Sequence, residues 1–293
     1  MLVSGPELVT AARCAGVMAG LPAHNARNLD EFDRWLGEIE DAINAHNCAA
    51  AAPLAVNISA RRNNAEIDQW FDVSVARGVR VFITAMGDPA HLAEAAHARG
   101  ALLYHDITTL RHAEKAIAAG VDGLICIGAG GGGHSGRMNP LAMIPAIRAI
   151  FDGTIVLAGC ASNGAAIRAA EILGADLCYV GTRFIASTEA RAPQDYKKMV
   201  RDCRSIDLVF TDKVSGVSAN WLKPSLSAVG AMAPDARSDD VIALPEGVRP
   251  WRDVWSAGQG VDLIDDILPV AKIVDRLKAE YRAACETPHW SVA

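Results

Sequence analysis

A glycine-rich segment that ends in one histidine is the part of this sequence best suited to chemistry. Residues 128–136 read GAGGGGHSG and follow the apolar run at 123–127. Because glycine has no side chain, such a segment can lay bare backbone N–H groups against a large, flat ligand. His134 follows the glycines, and imidazole is the side chain that most readily exchanges a proton near neutral pH. We therefore predict that His134 is a catalytic acid or base at the carboxyl end of a buried strand.

The glycine spacing also matches G-x-G-x-x-G, the dinucleotide-binding fingerprint. That motif requires a helix to begin within the glycines, so that the helix N-terminus can receive a pyrophosphate. In this sequence the next helix is predicted to begin only at Pro140, with Asn139 as its cap. The acid that follows, Asp152, comes before the next strand and not at a strand end. The dinucleotide interpretation is therefore disfavoured.

Two later loops have the composition of a phosphate site. Gly159-Cys160 follows a predicted strand at 154–158, and Gly181-Thr182 follows a predicted strand at 177–180. In a (β/α)8 barrel the loops after the seventh and eighth strands commonly bind phosphate through backbone N–H groups. These two loops therefore favour a barrel with an anionic ligand at the carboxyl ends of its strands.

The elements that would position these loops alternate regularly along the chain. Short apolar runs are separated by alanine-rich stretches with helical character, the first of which, at 29–46, has Asn28 as a predicted cap. This alternation is typical of a parallel sheet covered by helices, and so of an α/β fold. Strands are predicted at 17–20, 54–58, 79–84, 102–105, 123–127, 154–158 and 177–180.

A closed barrel of this type needs eight strands, and the sequence supplies seven. The chain begins with Ser4-x-x-Glu7, which we interpret as a capping box that starts a helix with Pro6 in its first turn. Either the sheet is open with seven strands, or a (β/α)8 barrel lacks its first strand in this chain. The positions of the two predicted phosphate loops favour the second interpretation.

Composition and charge limit the class of protein. The chain has 293 residues, of which 51% are hydrophobic, and its formal net charge is -6. That size can fill the core of one barrel. A weakly acidic chain lacks the basic patch that nucleic acid or an anionic membrane would require. We expect no nucleic-acid partner, no membrane partner and no signal peptide.

The cysteines predict a reducing environment. There are seven, an odd number, and they are scattered without a CxxC pair. We therefore expect reduced thiols, a cytoplasmic protein, and neither a disulfide framework nor a metal site. They are Cys14, Cys48, Cys126, Cys160, Cys178, Cys203 and Cys285.

Three segments together resemble the nitronate monooxygenase family, formerly called 2-nitropropane dioxygenases. They are the glycine–histidine segment, residues 156–184 (VLAGCASNGAAIRAAEILGADLCYVGTRF) and residues 255–261 (WSAGQGV). The resemblance implies a (β/α)8 TIM barrel that binds FMN at the carboxyl ends of its strands. It also implies oxidation of nitronates or nitroalkanes by O2, with a carbonyl compound and nitrite as products. The partners would be a small nitro compound and O2.

The resemblance also implies roles for particular residues. His134 matches the family's catalytic histidine. The positions that match the family's FMN contacts are Asn57, Asp106, Gly131, Gly132, Gly133, Gly159, Cys160, Gly181 and Thr182.

The chain departs from the family pattern in three places. Gly130-Gly131 stands where the family usually has Glu-Ala, and Cys160 stands where it usually has a second glycine. The family's first strand, which ends in an Ala-Pro-Met segment, has no counterpart here. It corresponds to the eighth strand that a closed barrel needs beyond the seven predicted strands.

We expect three parts: an FMN-binding barrel over 1–204, lid loops and short helices over 205–262, and a C-terminal helix over 263–293 that packs on the barrel. Two alternatives stay open. One is an FMN-dependent NAD(P)H reductase that acts on a quinone or an enoyl thioester, and the other is a barrel that has lost its cofactor. The sequence does not decide between a monomer and a homo-oligomer.

Overall fold

The computed structural model describes residues 3–48, 50–60, 63–231, 242 and 244–286. Seven of its strands form one parallel sheet in the order β1-β2-β3-β4-β5-β7-β8, and the others form a small antiparallel sheet, β6-β10-β9. The strands are β1 Ala19–Pro22, β2 Leu54–Ser59, β3 Val81–Ala85, β4 Leu102–Ile107, β5 Gly123–Ile127, β6 Gly133–His134, β7 Thr154–Ala158, β8 Leu177–Tyr179, β9 Leu208–Thr211 and β10 Ala219–Leu222.

Helices connect the strands of the parallel sheet and cover its outer face. They are α1 Pro6–Cys14, α2 Leu29–Ala45, α3 Asn64–Ala76, α4 Ala90–Ala98, α5 Leu110–Ala118, α6 Pro140–Arg148, α7 Gly164–Ile172, α8 Thr182–Ile185, α9 Gln194–Asp202, α10 Lys223–Ala228 and α11 Val270–Cys285. Among the residues that the structure describes, no helix is both long and apolar enough to cross a bilayer.

The alternating side chains of the parallel strands divide the core into two layers. One set, which includes Leu103, Leu124 and Leu157, packs between the strands and the helices. The other set points into the curled sheet and contains Ile83 and Tyr104 among others. Two buried faces on every strand require the nearly continuous apolar runs that the sequence shows. The α/β barrel prediction is confirmed, with seven parallel strands in the described part of the chain.

The sheet has two edges, β1 and β8, and one side chain reaches from the second edge to the first. A Cβ atom on Gly20 of β1 would lie 2.5 Å from the hydroxyl oxygen of Tyr179 on β8. Because Gly20 has no side chain, the Tyr179 side chain can pack directly on the backbone of β1. The inner side of β8 stays partly open, since Leu177 and Tyr179 are 44% and 37% exposed.

The outer side of the same gap is spanned by the C-terminal helix α11. Its Lys278 Nζ donates to the carbonyl of Ala15, at the end of α1, over 2.8 Å. Its Glu280 Oε2 accepts from Gly164 N, at the start of α7, over 2.8 Å. Both contacts place a charge opposite the matching end of a helix dipole. Residues 287–293 of the predicted C-terminal segment lie outside the described residues.

The small sheet stands over the carboxyl ends of the barrel strands. β6 pairs with β10 through His134–Ala219 and Gly133–Asn220, and β9 pairs with the other side of β10. Trp221 of β10 is fully buried in a separate apolar cluster. The predicted lid segment therefore contains ordered strands, although its residues 232–241 and 243 lie outside the described residues.

Local signals set most of the helix starts correctly. Asn28 accepts a hydrogen bond from Glu31 N, and Asn139 accepts one from Leu141 N, so both predicted caps are confirmed. The predicted Ser4–Glu7 capping box is wrong. The N-cap of α1 is Gly5, without a side-chain cap, and the carbonyl of Ser4 instead accepts from Asn25 Nδ2.

The prediction that all the thiols are reduced is wrong for one pair. Cys14 and Cys48 form a disulfide with a Cα–Cα distance of 5.3 Å. Cys14 is the last residue of α1, and Cys48 follows the end of α2, which packs beside it. The pair is separated by 34 residues in the sequence, so spacing alone could not reveal it. The cysteines therefore no longer support a cytoplasmic location.

Candidate active site

His134 is fixed at its backbone by the small sheet, and its ring contacts the predicted lid segment. Because directly opposed residues of an antiparallel pair share a face, the imidazole lies on the face of Ala219 and Trp221. Its ring centroid is 5.1 Å from that of Trp251, with the ring planes at 79°. Trp251 packs in turn on Trp221, with a centroid distance of 4.2 Å. The predicted catalytic histidine thus adjoins an aromatic cluster.

The glycine segment is held by hydrogen bonds to two other parts of the fold and by one bond within the segment itself. Asn220, which is 2% exposed, donates from Nδ2 to the carbonyl of Gly131 over 2.7 Å. Gln259 N donates to the carbonyl of Gly130 over 2.8 Å. Ser135 Oγ donates to the carbonyl of Gly128 over 3.0 Å. The segment is therefore a fixed loop whose shape depends on residues 220 and 259.

The turn after β7 packs directly on this loop. A Cβ atom on Gly159 would lie 2.9 Å from the Cα of Gly131, so the glycine is required by loop-to-loop contact. Cys160 has a φ of 61°, in the left-handed region that favours glycine. This backbone conformation explains why the resembling family usually has glycine there. The Cys160 thiol donates to the carbonyl of Ala129 over 3.2 Å.

The turn after β8 leaves more room. No heavy atom of the described chain lies within 4 Å of a Cβ built on Gly181. Thr182 Oγ1 accepts a hydrogen bond from Gly258 N over 2.9 Å, which ties this turn to the 255–261 segment. Of the two predicted phosphate loops, the Gly181 turn is the one with open space at its glycine.

Arg183 anchors the same turn from below. It is 3% exposed, and its Nη2 contacts Asp266 Oδ1 at 2.5 Å. Its Nη1 also donates to the carbonyl of Asp266 over 3.1 Å. Burial lowers the pKa of Arg183, while the charge of Asp266 opposes this shift. The arginine of the GTRF motif is thus a structural clamp between α8 and the chain that leads into α11.

Two predicted cofactor residues, Asn57 and Asp106, point into the barrel. Oδ1 of Asp106 is buried, and it has no hydrogen-bond partner among the described residues. Burial raises the pKa of Asp106 to about 7. Burial, and then the charge of Asp106, also raise the pKa of Tyr179. Asp106 is therefore a carboxyl group in need of a polar partner near the barrel mouth.

His105, which could have faced a cofactor, points the other way. It alternates with Asp106 on β4, so it lies on the helix-facing side of the sheet. Burial lowers its pKa to about 4, with nearby His112 and Asp88 as smaller influences of opposite sign. His105 belongs to the outer core layer.

These features fit a flavin on two counts. The unpaired buried carboxyl of Asp106 and the open space at Gly181 are what a polar ring edge and a phosphate would require. A cavity of about 270 Å³ opens nearby, beside Cys160 and between α6 and α7. Its walls are mainly apolar and include three alanines of α7, so it suits a hydrocarbon group better than a phosphate.

Comparison with known proteins now assigns the family. Residues 17–280 match the sequence profile described as nitronate monooxygenase. The chain belongs to the nitronate monooxygenase family. It is therefore an oxidoreductase, and a flavin is the cofactor on which this family in general depends.

Curated relatives of this nitronate monooxygenase family member carry two kinds of name. A Rhodococcus jostii protein named (3aS,4S,5R,7aS)-5-hydroxy-7a-methyl-1-oxo-octahydro-1H-indene-4-carboxyl-CoA dehydrogenase is 26% identical, over 98% of this chain and 77% of its own length. A Mycobacterium tuberculosis protein of the same name is 28% identical, over 76% of this chain and 61% of its own length. A Pseudomonas aeruginosa nitronate monooxygenase is 31% identical, over 60% of this chain and 55% of its own length.

Solved structures support the fold of this family member. FabK from Thermotoga maritima aligns with a TM-score of 0.76 at 22% identity, over 97% of this chain and 91% of the other. A nitroalkane oxidase from Streptomyces ansochromogenes aligns with a TM-score of 0.74 at 21% identity, over 97% and 94%. At these identities the similarity establishes a shared fold.

Sequence reasoning missed two residues at this site, Asn220 and Trp251. Asn220 is a polar residue between apolar neighbours on β10, and that alternation is a signal that it serves a contact on the opposite face. Trp251 carries no comparable local signal, since its contact with His134 arises only from the tertiary fold.

Proposed function

We propose that this protein uses FMN and O2 to oxidise nitronates and nitroalkanes to a carbonyl compound and nitrite. The observation that carries the proposal is the position of His134. The β6–β10 pairing sets it at the end of the glycine loop, in which Gly132 adjoins Thr182 of the open Gly181 turn, in a chain of the nitronate monooxygenase family.

His134 would handle the proton. The carbon next to a nitro group has an acidic C–H bond, and a neutral imidazole can remove that proton to leave the nitronate. The imidazolium that results can then hold a nitronate oxygen by a charge-assisted hydrogen bond. A bound FMN would supply the electron-transfer chemistry with O2 that the imidazole cannot perform.

Three groups of residues would hold FMN. Asn57 and Asp106 offer polar atoms inside the barrel mouth. Gly181 and Thr182, with Gly159 and Cys160 beside them, offer backbone N–H groups for the phosphate. Gly131, Gly132 and Gly133 form the backbone along one side. We further propose that the 205–262 segment acts as a lid over this site.

A second candidate is the oxidation of a carbon acid that is attached to coenzyme A. It is favoured by the two relatives that are named as carboxyl-CoA dehydrogenases, one of which aligns with 98% of this chain. A carbon next to a carbonyl is also acidic, so His134 would act on it in the same way.

Replacement of His134 tests the proposal. We expect His134→Asn to retain FMN, seen in its visible spectrum, and to lose about 10²-fold in turnover of a neutral nitroalkane. Turnover of the pre-formed nitronate should fall much less, because its proton is already gone. Nitrite release and O2 uptake are the measurements. His46→Asn is the matched control, since His46 is exposed at the end of α2.

Three outcomes would count against this function. Equal losses on both substrates would remove His134 as the base. Rapid NADH consumption without oxygen, in a wild-type enzyme that releases no nitrite, would favour the reductase alternative. Oxidation of an acyl-CoA in place of a nitroalkane would favour the second candidate.

A further inference from the structure

Trp251 has an unusual backbone beside the proposed base. Its φ is 69°, in the left-handed region that is rare for residues with large side chains. The conformation is enforced by its surroundings. Trp251 N donates to the carbonyl of Val254 over 3.0 Å, and Arg249 N donates to Asp253 Oδ2 over 2.8 Å. A strained residue that is held in place by its neighbours is a marker of functional constraint.

The Trp251 side chain lies between a fixed wall and the imidazole. Trp221, on one side of it, is fully buried and packs at a centroid distance of 4.2 Å. His134, on the other side, meets it nearly perpendicular at 5.1 Å. Because Trp221 is fully buried, it supports Trp251 from the side opposite to His134. Trp251 therefore limits how far the imidazole ring can turn toward it.

The direction in which the His134 imidazole points is set by rotation of its side chain. Its backbone is already fixed by the pairing with Ala219. An imidazole that removes a proton from carbon must keep one nitrogen aimed at that proton. An edge-on contact with an aromatic ring restricts this rotation, since perpendicular ring pairs have a preferred geometry.

We propose that Trp251 is a positioning residue that sets the orientation of the His134 imidazole. The proposal rests on the proposed function only in naming His134 as the base, since the ring contact itself is a property of the protein without cofactor. It assigns to the 249–254 turn a part in proton removal that the family resemblance does not mention.

The first test needs no cofactor and no turnover. The chain is labelled on histidine, and the His134 ring resonances are identified by their loss in His134→Asn. In Trp251→Leu we expect these resonances to move toward the shifts of a free imidazole, because the indole ring current is removed. Trp251→Phe should keep most of the displacement, while Trp35→Phe, which removes an indole on α2, should leave the His134 shifts unchanged.

The second test uses the loaded enzyme. We expect Trp251→Leu to lower kcat with a neutral nitroalkane about tenfold, a part of the usual contribution of a general base. KM and turnover of the pre-formed nitronate should change much less, and Trp251→Phe should restore most of the loss. Thermal melting of each variant confirms that it is folded.

The outcomes separate the two proposals. Unchanged His134 resonances in Trp251→Leu would overturn the positioning role, whatever the substrate. Equal losses on nitroalkane and nitronate would also overturn it. If the wild-type protein oxidises no nitro compound, the proposed function fails, while the resonance test still decides whether the Trp251 ring packs against the His134 imidazole in solution.

Discussion

Gly130 and Cys160 occupy one shared space. A Cβ atom on Gly130 would lie 2.6 Å from the Sγ of Cys160 and 2.7 Å from the Oε1 of Gln259. The two departures from the family pattern, glycine at 130 and cysteine at 160, are therefore coupled, because only one of the two positions can carry a side chain in this space. The thiol fills the volume that a side chain at 130 would need.

This relationship predicts non-additive mutations. Gly130→Ala should be destabilising, because it adds a clash with Cys160 to the strain of a residue with a φ of 84°. In a Cys160→Gly background the clash with the thiol is removed, while the backbone strain and the close contact with Gln259 remain. The loss should then be smaller by about 0.5–1 kcal/mol, measured as a coupling free energy from urea unfolding of the four proteins. Strict additivity would show that the two side chains do not compete.

Asp106 predicts a pH dependence of stability. Its pKa of about 7 in the folded protein is above the ordinary value of 3.8 for an aspartate side chain. Between these values the folded chain holds a proton that the unfolded chain has lost. The contribution of Asp106 to stability therefore falls as pH rises from about 4 to about 7, and is constant above that.

Asp106→Asn should abolish this decline. Relative to wild type, the cofactor-free variant should gain about 1 kcal/mol or more in free energy of unfolding between about pH 5 and about pH 8. The measurement is denaturant unfolding of both proteins at the two pH values. His105, whose stability contribution rises with pH, is common to both and cancels. Parallel stability curves would contradict the raised pKa.

Replacement of Arg183 should lower the free energy of unfolding strongly, because its buried hydrogen bonds to Asp266 would be lost. Arg183→Met should cost about 2–3 kcal/mol, as expected for buried hydrogen bonds to a charged group. Arg201→Met is the matched control, because the Arg201–Asp202 pair is exposed on α9 and its loss should be much less destabilising. Chemical unfolding of the two variants makes the comparison. Similar losses in both would mean that the clamp does not support the fold.

The sequence predicted what depends on neighbours along the chain. The strands at 123–127 and 154–158 were placed at their observed bounds, because apolar β-branched runs between helices have few alternatives. The strand predicted at 17–20 is observed two residues later, at Ala19–Pro22, where pairing with β2 fixes its register. Local patterns carry no such pairing information.

Contacts between distant segments were beyond prediction. The Cys14–Cys48 disulfide depends on the packing of α1 beside α2. The contact of Trp251 with His134 depends on how the 205–262 segment packs on the glycine loop. The glycines at 131 and 159 were assigned from their resemblance to flavin contacts, and that role stays a prediction. The structure adds a second reason for glycine at 159, since the two loops touch there.

The C-terminal helix has a consequence for how the barrel can open. Strands β1 and β8 are the two margins of the sheet, and α11 fastens α1 to α7 across them through Lys278 and Glu280. A chain cut before Lys278 would keep all the strands of the sheet and lose both of these hydrogen bonds across its outer side. The two edges would then be joined by Tyr179 against Gly20 on the inside and by the hydrogen bond from Arg191 N to the carbonyl of Val3. The last helix thus helps to hold the two edges of the sheet together, although none of its residues lies at the mouth of the barrel.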